Sequence, residues 1–137
     1  MTTRTVSVVL PIKYVLNANK RGDAHPRVRP VKTHAVRAAF TNAAHGLAPL
    51  DTPVEVTVQL TFARRHRRDS PNWYPTVKAA IDGLVSAGVI ADDSDENITW
   101  THIAAHDVDH QLAARPKDGL DARVRLTLTL ATTTQEN

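Results

Sequence analysis

The sequence has no cysteine, one methionine and only five glycines in 137 residues. Without cysteine there is no disulfide framework, no thiolate metal site and no thiol nucleophile, and the lack of disulfides fits a reducing compartment. No GxGxxG, P-loop or GxSxG pattern occurs, which removes the common dinucleotide, phosphate-loop and acyl-transfer sites. No apolar run is long enough to span a bilayer. The opening MTTRTVSVVLPIKY has neither the long apolar stretch nor the small-residue cleavage site of a secretory signal. A soluble cytoplasmic protein with no membrane partner is the expectation.

What is present is ordinary in amount and unusual in arrangement. Hydrophobic residues make up 42% and charged residues 23%, as in a soluble globular protein of one domain spanning 1–137. The net charge is +3, yet residues 1–68 carry twelve Lys or Arg against three acids, while residues 69–137 carry five against eleven. The halves are therefore +9 and −6. Either a basic surface for a polyanion stands beside an acidic cluster, or the two halves intermix in space and the asymmetry is accidental.

Along the chain, TVSVVL (5–10) is β-branched and stops at Pro11, which predicts a strand. Residues 12–32 are basic and broken by Gly22, Pro26 and Pro30, and read as a long basic loop or mobile arm bearing Lys20 and Arg21. Helical spacing of Val36, Ala39, Phe40, Ala43 and Leu47, with Thr33 placed to cap and Gly46 to stop, predicts a first helix. PVEVTVQLTFA (53–63) alternates as a strand with one buried face. Val77, Ile81, Leu84 and Val85 form the stripe of a second helix, stopped by Gly88 and started near Pro71 or near Pro75. NITWTHIAAHDV (97–108) and ARVRLTLTLAT (122–132) read as two further strands. The order β-α-β-α-β-β predicts an α+β, two-layer domain with helices packed on a small mixed sheet.

Several charged clusters compete for a chemical role. ARRHRRD places Arg64, Arg65, Arg67 and Arg68 at a strand end, where guanidinium forks suit phosphate oxygens, although most charge runs are solvated loops. Asp69, Asp82, Asp92 and Asp93 could hold Mg²⁺ for phosphodiester hydrolysis. A helix from Asn72 to Ala87 would be about 24 Å long, so adjacency in sequence does not bring its two ends together. A terminal cap and a solvated turn are the plainer reading of these acids. DDSDEN is not an EF-hand, since counting from Asp93 puts Ile98 at the glycine position and Ala104 at the glutamate position. His102, His106 and His110 are spaced by four, but on a predicted strand and loop, where exposed histidines are expected rather than zinc ligands.

The stretch RRHRRDSPNWYPTVKAAIDGLVSAGVIADD (64–93) resembles the signature of the RusA-like Holliday-junction resolvases, found in many phages and prophages. There an arginine-rich strand end runs into D-x-D-N or D-x-x-N, a K-A-x-x-D-[GA]-L helix, a glycine and a D-D pair. Weaker likeness extends to the strand ending in LP, the segment NANKRG and the last strand. The resemblance implies a homodimeric, Mg²⁺-dependent endonuclease, with Mn²⁺ as a substitute, that binds four-way or branched DNA and makes paired nicks in recombination and repair. It implies that Asp69, Asp92 and Asp93 bind metal, that Lys78 is catalytic, and that Asn72 and Asp82 support them, Asp82 by pairing with Lys78 at i+4. Lys20, Arg21, Arg64, Arg65, Arg67 and Arg68 would grip phosphates, and Trp73 or Tyr74 would stack on an unpaired base unless Trp73 is core. One position departs: where many members carry a second aspartate this chain has Pro71, which offers no ligand. Asp95 or Glu96 could replace it, or the protein could be a branched-DNA binder without catalysis.

Overall fold

The computed structural model of the chain describes residues 2–65, 70–94 and 96–132. The elements are β1 (Thr3–Pro11), α1 (Arg29–Ala43), β2 (Val54–Phe62), α2 (Tyr74–Ser86), β3 (Ile98–Ile103), β4 (Asp107–Val108) and β5 (Arg123–Thr132). The alternation read in the last strand sets the core. Val124, Leu126, Leu128 and Leu130 are fully buried, and their register partners Leu60, Val58 and Val56 on β2 are buried with them. β1 lies antiparallel on the other side of β5, putting Val6 opposite Leu128 on the same face. The opposite face, with Thr5, Ser7, Thr57, Gln59, Thr127 and Thr129, is exposed or half-buried.

The sheet runs β1-β5-β2-β3 and is mixed, because β2 and β3 are parallel and joined through α2, whereas β5 is antiparallel to both its neighbours. Both helices contribute to one core, α1 through Val36 and Phe40 and α2 through Val77, Ala80 and Leu84. The result is an α+β domain of two helices and a mixed sheet, as the element order predicts. The third strand differs from its expected form. It is interrupted at 104–106 and resumes as β4, which pairs with Thr61 and Phe62 along the same edge of β2. Across the gap Ala104 donates to the Val58 carbonyl and Gln59 Nε2 donates to the Ala105 carbonyl, so the break keeps its hydrogen bonds through one side chain.

The 12–32 stretch also departs from an open arm. It holds 3-10 turns at Ile12–Tyr14 and Arg21–Ala24, and its last four residues already belong to α1. Pro30 does not exclude the helix, because it stands in the first turn, where the missing N–H has no intrahelical acceptor in any case. Thr33 therefore lies inside α1 rather than at its cap.

Helix α2 is buried almost all round, through Thr76, Val77, Ala79, Ala80, Ile81, Gly83 and Leu84. Gly83 is where α1 crosses it: a Cβ there would stand 2.5 Å from the Arg37 carbonyl oxygen and 2.8 Å from Phe40 Cβ. What remains accessible is a narrow strip at helical spacing, Tyr74, Lys78, Asp82 and Ser86. Gly88, at φ +83°, ends the helix in the left-handed region. Val89 and Ile90 then turn back into the core, and the residues that follow bring Asp93 beside the accessible strip before β3. Among the described residues no helix is long and apolar enough to cross a membrane.

Candidate functional site

The returning loop brings Asp93 back beside α2, while the approach of Asp69 to Asp92 and Asp93 lies outside the described residues. Asp93, fifteen residues from Lys78, accepts a hydrogen bond from the Lys78 ammonium through Oδ2, and Asp82 Oδ1 accepts another at 2.9 Å from one helical turn away. The third N–H of the ammonium has no acceptor among the described residues. Asp92 faces differently, its Oδ1 accepting the Asp93 backbone N–H at 2.7 Å. The group is accessible, with the Lys78 side chain 46% and the Asp93 side chain 36% exposed.

The charges stabilise one another. The Asp93 carboxylate, then Asp82, pushes the Lys78 ammonium up to about 12, against an opposing effect of partial burial. The Lys78 hydrogen bond and charge hold Asp93 below the ordinary carboxylate value. Both groups are ionised at neutral pH. They border a cleft of about 340 Å³ between α2 and β3, whose other walls include Tyr74, Ile98, Thr99 and Thr101. A cation held by two carboxylates at the mouth of a polar cleft can meet a phosphate oxygen, and adjacent exposed carboxylates can meet a hard, hydrated cation. Among the described residues no three carboxylate or imidazole groups converge as a metal site. Asp69 and Asp95 lie outside those residues, as do Arg67 and Arg68.

The other candidates are dispersed. Arg64 and Arg65 are exposed just past the end of β2. Lys20 and Arg21 are exposed at the turn beside α1. Asn72 precedes α2 and its backbone carbonyl accepts the Ala18 N–H at 2.6 Å, tying the basic segment to the start of the lysine-bearing helix. Glu96 is exposed in the returning loop. Trp73 is a core residue, 8% exposed, with its ring 5.2 Å from Phe62 and 6.4 Å from His106. Tyr74 is 55% exposed and lines the cleft. The histidines point apart: His102 is exposed on β3, His106 packs on Phe62, and His110 Nδ1 lies 3.0 Å from the Ala63 carbonyl.

Two anchors were not singled out from the sequence. Asp23, the only acid of the 12–32 stretch, is 4% exposed, accepts the Asn17 N–H at 2.9 Å and pairs with Lys32 at 2.6 Å. Burial by itself would raise its carboxyl, but the Lys32 hydrogen bond and charge outweigh that and lower it. Thr76 Oγ1, fully buried in α2, donates to the Leu16 carbonyl and accepts the Leu16 N–H, each at 2.7 Å. The available signal was negative: a lone acid among six cations and a polar residue inside an apolar stripe.

No protein-family model matches the chain, and no curated protein matches it in sequence.

Proposed function

We propose that the protein is a RusA-like, structure-specific endodeoxyribonuclease that cuts four-way DNA junctions by metal-dependent phosphodiester hydrolysis in the cytoplasm. The observation that carries this reading is the meeting of Lys78 with Asp93 across fifteen residues, the two positions at which the resemblance puts a catalytic cation and a metal-binding acid. Asp92 and Asp93 offer oxygen donors of the kind a strongly hydrated cation accepts. When bound, Mg²⁺ would supply an activated water and neutralise charge on the phosphate. Lys78 stabilises charge on the non-bridging phosphate oxygens, Asp82 keeps its ammonium on the cleft side of α2, and the basic residues Lys20, Arg21, Arg64 and Arg65 hold the backbone. Paired cuts in opposing strands call for two such sites, which a two-fold homodimer provides.

The test is incubation of purified protein with a labelled synthetic four-way junction in Mg²⁺ and in Mn²⁺. Paired nicks, lost in Asp93→Asn and Lys78→Met, are expected. Binding without nicking in either metal overturns the nuclease reading in favour of a branched-DNA binder, which Pro71 in place of a ligand favours. Equal affinity for junction and plain duplex overturns both. Light scattering coupled to gel filtration checks the dimer.

A further inference from the structure

The Lys78 cluster contains a conflict of roles. The resemblance makes Lys78 a cation for phosphate and Asp93 a ligand for metal, yet each takes up the other, the Lys78 ammonium donating to Asp93 Oδ2. The two carboxylates on Lys78 are held differently. Asp82 stands one turn along the same helix and accepts from the ammonium at 2.9 Å, so α2 itself fixes that contact. Asp93 instead reaches the ammonium from the loop beyond Ile90. Each of the three side chains is about a third exposed or more, and ion pairs so open to water hold weakly. With Asp92 beside Asp93, the cluster has three carboxylates to one ammonium, a formal −2. It therefore repels a phosphate and draws a cation, and a divalent cation brings twice the charge of the ammonium to a carboxylate.

We propose that Lys78 is a tethered counter-ion that trades places with the metal. Asp93 releases the ammonium on taking a divalent cation, Asp82 keeps that ammonium on the cleft side of α2, and the freed N–H turns to the phosphate. With a divalent cation the formal −2 becomes zero, so the grip of Lys78 on phosphate waits on metal loading. The proposal rests on the metal-dependent reading of the site and adds an order of events to it. Its test uses neither DNA nor cleavage. In the full chain labelled with ¹⁵N and ¹³C, NMR reads the through-hydrogen-bond couplings from Lys78 Nζ to Cγ of Asp93 and of Asp82. Mg²⁺ should abolish the Asp93 coupling and keep the Asp82 coupling, while KCl at matched ionic strength should keep both. Mn²⁺ affinity, followed by electron paramagnetic resonance, should rise about fivefold or more in Lys78→Met, the worth of an exposed ion pair. A lysine that merely positions Asp93 for the metal would make the same variant bind more weakly. The proposal is overturned by an Asp93 coupling that is absent at the outset, survives the Mg²⁺ titration or vanishes in KCl alone. Loss of the Asp82 coupling in Mg²⁺, or unchanged or weaker Mn²⁺ binding in Lys78→Met, also overturns it. Exchange without junction nicking would refute the nuclease alone, and nicking with the Lys78 to Asp93 coupling undisturbed by metal would refute the exchange alone.

Discussion

Gly83→Ala tests how closely the two helices approach beneath the Lys78 site. In an accessible helix this substitution gains about 1 kcal/mol from propensity. Here the new methyl would lie 2.5 Å from the Arg37 carbonyl oxygen, 2.8 Å from Phe40 Cβ and 3.2 Å from the Thr41 nitrogen. Reaching the 3.4 Å at which ordinary contact begins requires a movement of 0.9 Å, and the atoms in the way are backbone or close to it. Overpacking of this kind costs about 3 kcal/mol, the upper part of its usual range. The net expectation is a loss of about 2 kcal/mol. For a chain of this length that is a fall in Tm of about 7 °C. Urea unfolding followed by circular dichroism measures it, with two controls. Gly22→Ala meets nothing within 4 Å and should leave stability unchanged or slightly raised. Gly88→Ala also meets nothing, but at φ +83° should cost about 1–2 kcal/mol through the backbone alone. If Gly83→Ala is as stable as the parent protein, the close crossing of α1 and α2 is wrong, and with it the reason α2 offers so narrow an accessible strip.

Asp93→Asn should lower the Lys78 pKa from about 12 toward 10.5, and Asp82→Asn should lower it less, because the Asp93 contact is the larger cause; ¹⁵N NMR of the Lys78 ammonium reads both. The signs of the pH effects are opposite. The raised Lys78 stabilises the fold below its ordinary value and loses that contribution as pH rises toward 12, whereas the lowered Asp93 contributes above its ordinary 3.8 and loses it as pH falls below. Asp23→Ala leaves Lys32 largely buried without its partner and should cost about 3 kcal/mol, the low end for a buried pair broken on one side, measured by urea unfolding at pH 7. On the proposed function, that variant should also weaken junction binding and flatten its dependence on salt, since Asp23 anchors the turn carrying Lys20 and Arg21. Thr76→Val strands the buried Leu16 N–H and carbonyl and should cost about 2–3 kcal/mol by the same assay, with slowed amide exchange at Leu16 in the parent protein only.

Period and punctuation in the sequence settled the elements that bury one whole face. The alternation of 122–132 and 53–63 and the stripe of Val77, Ile81 and Leu84 carry their own registers, because each side chain's side of a strand or helix follows from its place in the chain. Likewise Gly88 marked the end of α2, since the left-handed turn it makes is a local property. Where a residue's role depends on something distant, the sequence was silent or misleading. Pro30 opens a helix rather than breaking the chain because it stands in the first turn of α1, which enters the core further on at Val36 and Phe40. The strand at 97–108 splits, and Gln59 of β2 bridges the gap through its side chain. Asp23 became a buried anchor only when Lys32 came round to meet it. Above all, Lys78 and Asp93 are fifteen residues apart and meet only because Val89 and Ile90 dive into the core and send the following loop back along α2. That return is a matter of burial, and burial is decided by the assembled sheet and helices rather than by any one segment.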